Sequence, residues 1–94
     1  MAAVEHRTAA AIAEAALSTV FGASAVQALR EDSPLSAVGL APADLVCISD
    51  AVSDEAVRRG LTCVLDDADL GTVTTVGDLV GVVQAQAVTP QDRG

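Results

Sequence analysis

The sequence contains no lysine, tryptophan or tyrosine, and Phe21 is its one aromatic ring besides a single histidine. Proteins that bind single-stranded nucleic acid stack bases on aromatic side chains and neutralise phosphates with Lys and Arg, so this composition disfavours that function. Five arginines stand against 13 acidic residues, and the net charge is −8. Nucleic-acid backbones and anionic membranes repel such a surface, whereas partners that present Arg or Lys are attracted to it.

Paired cysteines and long apolar runs are also absent. Cys47 and Cys63 form no Cys-x-x-Cys motif, so we expect neither a disulfide framework nor a zinc site. No apolar segment reaches the ~20 residues that span a bilayer. Charged residues interrupt any signal-peptide core near the start: Glu5, His6 and Arg7. We therefore expect a cytoplasmic protein of 94 residues, with one small domain and a modest core, and we expect a monomer.

The apolar pattern predicts four helical segments. Alanine, the best helix former, dominates the first, over residues 2–21, and Gly22 follows its end. The second is predicted over residues 42–59, with Gly60 as its stop. Residues 61–65 are apolar, but a strand without a pairing partner is unstable, so a short Asp-rich helix after them is the third segment. The last begins after Thr75, which forms a capping-box pattern with Asp78.

These segments predict an all-α fold, a small four-helix bundle with a long loop between helices 1 and 2. The loop covers residues 23–40 and holds at most a helical turn. Such long connections are uncommon in compact domains unless they carry function. We expect Leu35 and Leu40 to pin the loop to the core. The helical domain is predicted over residues 1–86, and residues 87–94 are predicted to form a flexible C-terminal tail.

The loop and the helices after it resemble the acyl and peptidyl carrier proteins. Members of that family share the pattern D-x-x-L-x-x-x-G-L, which this chain meets with Asp32, Leu35, Gly39 and Leu40. The run T-V-G-D-L-V, which begins at Thr75, is typical of their fourth helix. The resemblance covers roughly residues 8–86 and implies a four-helix domain of the acyl-carrier-protein type.

The centre of the family's signature is missing. Carrier proteins have Asp-Ser-Leu at the start of their second helix, and that serine carries the phosphopantetheine arm. This chain has Ala41-Pro42-Ala43 at the same place, so the attachment position is Pro42, which has neither a hydroxyl nor an N–H. Because proline suits the first turn of a helix, we expect a retained helix start, no attachment site and no phosphopantetheine cofactor.

Two serines in the loop leave a second interpretation open. Ser33 and Ser36 are alternative attachment residues for a working carrier whose site is displaced. Asp32-Ser33 is the one Asp-Ser pair of the chain, but Pro34 follows it. Neither serine has the Asp-Ser-Leu context, so we favour an ordinary loop hydroxyl at both positions.

In carrier proteins, partner enzymes recognise the second helix largely through its acidic side chains. The resemblance therefore implies partner binding by five residues: Asp44, Cys47, Asp50, Asp54 and Glu55. Cys47 stands where the family often has an exposed acid, although a partly buried apolar role is the simpler interpretation. Cys63 lies in an apolar run and is expected in the core. The expected partners are biosynthetic enzymes with basic docking surfaces, of the ketosynthase or another acyl-processing type.

No residue pattern indicates an enzyme or a metal site. His6 is the one histidine, and its place near the N-terminus disfavours a Ser/His/Asp or Cys/His arrangement. The Asp-rich segment lacks the spacing of a calcium-binding loop: Asp66, Asp67 and Asp69. The sequence thus predicts a noncatalytic, acidic interaction module, and the resemblance to carrier proteins implies a role in fatty-acid, polyketide or nonribosomal-peptide biosynthesis.

Overall fold

The computed structural model describes residues 4–41 and 43–89. Five α-helices follow one another in this part of the chain: α1 (His6–Phe21), α2 (Ala23–Gln27), α3 (Asp44–Arg58), α4 (Asp67–Gly71) and α5 (Val76–Gln86). A 3-10 turn covers Leu35–Val38. The described residues contain no strand, which confirms the all-α class. Two isolated antiparallel bridges join Pro34 to Thr75 and Thr62 to Val88.

Helix α1 is central to the packing, since it contacts α2, α3 and α5. Small side chains make these contacts close: Ala9, Ala13 and Ala16 are buried together with the larger Ile12 and Leu17. Alanine also has the highest intrinsic helix propensity. The same alanines therefore stabilise the helix and allow its neighbours to approach it.

Two helices have bounds that differ from the predicted ones, and the sequence does not predict one short helix. Val4 and Glu5 are not helical, so α1 begins at His6 and not near residue 2. Beyond Gly22, whose φ of 94° breaks α1, the chain turns into the five-residue helix α2. Helix α3 begins at Asp44, after the N-cap residue Ala43, and ends at Arg58, so it starts later and ends one residue earlier than predicted. Its predicted first residue, Pro42, lies outside the described residues.

The core lies where α1, α3 and α5 meet. Helices α3 and α5 each contribute three buried residues: Ile48, Val52 and Ala56 from α3, and Leu79, Val80 and Val83 from α5. Leu35 of the 3-10 turn is 1% exposed, which confirms its predicted role as a loop anchor. Leu40 is partly buried and packs against the same core. The loop is therefore fixed to the bundle at both of the leucines that its sequence marks.

Backbone hydrogen bonds also fasten this loop to the start of α5. The carbonyl of Glu31 accepts from the N–H of Gly77 at 2.6 Å, and the carbonyl of Ser33 accepts from the N–H of Val76 at 3.0 Å. The first N–H groups of a helix have no partner within the helix. Here the loop supplies those partners, so main-chain atoms hold the long connection in place.

The chain remains packed beyond residue 86, where the sequence places the end of the domain. Ala87 is fully buried, and Val88 exchanges two backbone hydrogen bonds of 2.8 and 2.9 Å with Thr62. The structured part therefore includes residues 87 and 88, which the sequence assigns to the tail. The same bridge gives the apolar run 61–65 a backbone partner that local sequence does not reveal. Residues 90–94 lie outside the described part.

Candidate functional site

Helix α3 carries all five residues that the sequence predicts for partner binding, and the structure divides them into two groups. Successive residues of a helix are about 100° apart, so Cys47, Asp50 and Asp54 face away from the buried stripe. All three are exposed. Asp44 and Glu55 lie nearer to the core and are partly buried. Three of the five residues thus share one exposed face.

The carboxylates of Asp44 and Glu55 are bound within the chain. Asp44 Oδ2 accepts from the N–H of Ala41 at 2.8 Å and closes the turn before α3. Glu55, whose side chain is 15% exposed, pairs with Arg58 at 2.8 Å and with Arg59 at 2.9 Å. These two acids stabilise the ends of the helix, and a partner has less access to them than to the other three residues.

A groove runs along the exposed face, between α3 and the C-terminal part of α1. Its volume is about 420 Å³, and both helices line it: Thr19, Val20, Cys47, Asp50, Ala51 and Asp54. Val20 and Ala51 are partly buried, whereas the two aspartates are exposed. Apolar side chains therefore form the bottom of this α1/α3 groove, and carboxylates form its rim.

The rim aspartates, Asp50 and Asp54, form an acidic ridge whose charge is not neutralised locally. No Arg or His of the described residues lies within ion-pair distance of either carboxylate, and the two arginines at the end of α3 are held by Glu55. The two aspartates are four residues apart, which places them one turn, or about 6 Å, apart along the helix. The ridge therefore presents two closely spaced negative charges beside an apolar surface.

Two exposed valines border the ridge on the side away from the groove. Val46 is 63% exposed and Val57 is 66% exposed. They are 11 residues apart on α3, so the helical repeat puts them at nearly the same angle around its axis. We call this pair the valine edge. The two valines lie about 16 Å apart along the axis, so each is a single exposed apolar side chain of the kind that is common on protein surfaces. Val64, which is 68% exposed, follows on the segment after α3.

The two cysteines differ in access. Cys47 is exposed at the groove, so its simpler interpretation as a partly buried residue is wrong, because its position on α3 faces away from the core. Cys63 is 1% exposed, which confirms its predicted place in the core. Burial raises the pKa of the Cys63 thiol to about 11, with a further contribution from the charge of Asp69. Reagents that attack thiolates therefore have access only to Cys47.

The positions considered for a prosthetic arm do not offer the family's site. A phosphopantetheine ester requires a hydroxyl, and position 42 has none. Ser33 is partly buried, and its Oγ accepts from the N–H of Arg30 at 2.8 Å. Ser36 is exposed on the 3-10 turn and lines a second surface groove of about 300 Å³. Of the two alternative serines, Ser36 has the more accessible hydroxyl.

Other chemistry-bearing residues have structural partners. His6 Nε2 lies 2.8 Å from Oε2 of Glu31. Asp66 and Asp69 form a capping box at the start of α4, in which each side chain accepts from the other residue's N–H. No group of three or more His, Cys, Asp or Glu in the described residues is arranged to hold a metal ion.

Sequence reasoning finds the α3 half of the groove but misses the α1 half. Thr19 and Val20 lie at the end of the first predicted helix, where nothing in the local pattern distinguishes them from core or solvent positions. Ala51 likewise reads as an ordinary helical alanine. Their role depends on how two helices separated by a long loop come together. A pattern within one helix does not contain that information.

Comparison with known proteins adds no family assignment. No protein-family model, curated protein or solved structure gives a significant match to the chain. Among the described residues, no helix has the length and apolar composition needed to cross a membrane.

Proposed function

We propose that the chain is an acyl-carrier-like domain without a phosphopantetheine arm, and that it acts as an interaction, scaffolding or regulatory module in fatty-acid, polyketide or nonribosomal-peptide biosynthesis. The observation that carries the proposal is the exposed face of α3. There, the acidic ridge and the α1/α3 groove lie together on the helix that, by the resemblance, corresponds to the one carrier proteins present to their partners. The residue types of the site suit recognition and supply no nucleophile with a base.

The order of the elements supports the carrier-like interpretation. Helices α1, α3, α4 and α5 follow one another as the four helices of a carrier protein do, and α2 is a short addition within the long first loop. Leu35 of the family signature is buried, and Gly39 adopts a left-handed φ of 79° at the end of the 3-10 turn. The landmarks of the signature thus have structural roles that do not require the missing serine.

The proposed mechanism is noncovalent docking. The acidic ridge attracts the basic surface of an acyl-processing enzyme, which raises the rate of encounter and selects the orientation. Apolar side chains beside the ridge then lose contact with water in the complex, which supplies affinity. Because no arm is attached, the domain occupies or organises a docking surface without delivering a substrate.

Affinity capture from the producing cells tests this proposal. The tagged chain should retain acyl-processing enzymes, identified by mass spectrometry, and the double variant Asp50→Asn/Asp54→Asn should lose them. The control is Glu5→Gln/Asp67→Asn, which removes the same charge from two exposed positions away from the ridge. Equal capture by both double variants, or capture of proteins unrelated to acyl processing, would contradict the proposal.

A working carrier with a displaced site is the alternative, and the exposure of Ser36 is the observation that favours it over Ser33 as the attachment residue. Incubation with coenzyme A and a promiscuous phosphopantetheinyl transferase, followed by intact-mass measurement, separates the two functions. Our proposal predicts an unchanged mass. A mass increase that disappears in Ser36→Ala would establish the alternative.

A further inference from the structure

We infer that the α1/α3 groove binds a cationic amphipathic helix of the partner protein. Apolar side chains of that helix contact Val20 and Ala51, and two Arg or Lys residues one turn apart pair with Asp50 and Asp54. The inference rests on the proposed function and deepens it, because it states which side of the acidic ridge the partner covers and what kind of element it contributes.

The walls of the groove favour a helix over an extended peptide. The α3 wall lies within the body of its helix, where backbone N–H and C=O groups are bonded inside the helix. An extended segment would therefore find no backbone partners along α3 and would leave its own groups on that side unpaired. A helical segment satisfies its own backbone and needs only side-chain contacts, which the groove offers.

The dimensions of the groove fit a short helix. Its α3 wall extends from Cys47 to Asp54, seven residues or about 10 Å along the axis. A partner helix of two to three turns covers this length. Basic residues at positions i and i+4 of that helix have the same ~6 Å spacing as the two aspartates of the ridge.

Charge determines which helix fits. The residues that line the groove include two carboxylates and no cation, so a basic segment gains two ion pairs there. A second copy of this chain is a poor occupant, because each copy carries a net charge of −8 and has no lysine. A purely charged peptide would bury no apolar surface against Val20 and Ala51 at the bottom of the groove. It should therefore bind more weakly than an amphipathic helix.

Cys47 is the accessible thiol, since Cys63 is buried, so the rate of thiol alkylation reports whether the groove is occupied. The probe is a synthetic helical peptide of about three turns with an Ala/Leu face and two Arg residues at i and i+4. The control peptide has the same composition in an alternating order that forms no amphipathic helix. We expect the helical peptide to slow alkylation of Cys47 by a neutral maleimide several-fold, and the control peptide to leave the rate unchanged. Equal protection by both peptides would overturn the inference.

Variants of the chain locate the occupant. Asp50→Asn/Asp54→Asn should weaken binding of the fluorescently labelled helical peptide by about five- to tenfold and reduce its salt dependence, as expected for two surface ion pairs. Ala51→Leu fills the groove with a residue that also favours helix, and it should abolish binding. Val46→Ser/Val57→Ser alters the exposed valine edge and should leave the affinity unchanged.

The outcomes separate this inference from the proposed function. If the valine-edge variant loses affinity and Ala51→Leu does not, the partner docks on the opposite side of the ridge, and the groove assignment is wrong while the docking function stands. Protection of Cys47 that depends on the concentration of the chain alone would identify a second copy as the occupant and overturn the inference. If the helical peptide binds as expected but no acyl-processing enzyme is captured from cells, the proposed function fails and the groove assignment survives.

Discussion

His6 forms one of the few side-chain links between distant parts of this chain, because its imidazole meets the carboxylate of Glu31 at 2.8 Å. The hydrogen bond to Glu31, and then the charge of that residue, raise the pKa of His6 above its ordinary 6.5. A group whose pKa is raised by folding contributes stability that is fully present below its unfolded value. That contribution is lost as the pH rises through the folded value. The link between α1 and the loop should therefore weaken as the solution becomes alkaline.

We predict that the His6 ring titrates above 6.5 in the native protein and that Glu31→Gln returns the midpoint towards 6.5. Proton NMR measures this directly, because the chain has one histidine and its ring signals are unambiguous. The Asp32→Asn variant serves as a neighbouring control that should leave the midpoint in place. A native midpoint at or below 6.5 would show that the ion pair is not formed in solution.

Gly77 occupies a position with no space for a side chain. A Cβ atom there would lie 2.9 Å from the carbonyl oxygen of Glu31, which is backbone that cannot rotate away. Gly77→Ala should therefore cost about 1–3 kcal/mol of unfolding free energy through overpacking, despite the better helix propensity of alanine. Urea unfolding measures the change.

The matched control for Gly77 is Gly81 on the same helix, where an added Cβ meets nothing within 4 Å. Gly81→Ala should stabilise the protein by up to ~1 kcal/mol, the difference in helix propensity. If both substitutions are stabilising, the loop does not contact the start of α5 as described.

At the start of helix α5, side chains form hydrogen bonds with backbone N–H groups that have no partner within the helix. Thr75 Oγ1 accepts from the N–H of Asp78 at 3.1 Å, and Asp78 Oδ2 accepts from the N–H of Thr75 at 3.1 Å. Thr74 donates to the same carboxylate through its hydroxyl and its N–H. These bonds, the Thr74 hydroxyl first, lower the pKa of Asp78 below its ordinary value of 3.8. Their contribution to stability is present above that value and is lost as the pH falls through the folded-state pKa.

We predict that Thr74→Val raises the Asp78 pKa towards 3.8 and moves acid unfolding to higher pH, because the strongest bond to the carboxylate is removed. Carboxyl carbon NMR follows the titration, and circular dichroism follows the unfolding. Thr74→Ser keeps the hydroxyl and should behave like the native chain. An Asp78 pKa that is the same in all three proteins would exclude this bond as the cause.

The cap itself makes a separate prediction. Thr75→Ala removes the side-chain acceptor at the N-cap and should cost about 1 kcal/mol of unfolding free energy. Thr75→Ser retains the oxygen and should lose much less. Chemical denaturation of the three proteins under identical conditions provides the comparison, and equal stabilities would mean that solvent caps the helix as well as Thr75 does.

At this scale, the sequence predicts what is local. The Thr75-x-x-Asp78 pattern predicts the start of α5 and the spacing of apolar residues predicts the stripes of α3 and α5, because capping and periodicity depend on neighbours within two turns. It does not predict α2. Five residues that begin directly after Gly22 are too few to show a periodic pattern, and their helical state is supported by contact with α1.

For the molecule as a whole, the features that the sequence does not reveal are the ones made by distant residues. The α1/α3 groove joins Val20 to Ala51, and the Thr62–Val88 bridge joins segments 26 residues apart. Composition correctly indicates an acidic surface, but it does not show which acids are free. Asp50 is free of ion pairs to described cations, and Glu55 is held by two arginines, a difference that only the folded arrangement decides.

The bridge makes a prediction at the same scale. A chain that ends after Gln86 should be less stable than one that ends after Thr89 by about 2 kcal/mol, since it lacks three backbone hydrogen bonds and the buried Ala87. Thermal and urea unfolding of the two truncated chains give the difference. Equal stability of the two chains would show that residues 87–89 belong to the flexible tail that the sequence predicts.

The fastening of the loop by main-chain atoms has a consequence for how this surface evolves. Because the carbonyls of Glu31 and Ser33 make the bonds to α5, these bonds do not depend on which side chains stand at the two positions. Substitutions at these exposed or half-exposed positions can accumulate while the helix that follows keeps its place. The side-chain surface of the loop can thus vary while its main-chain attachment to α5 is kept.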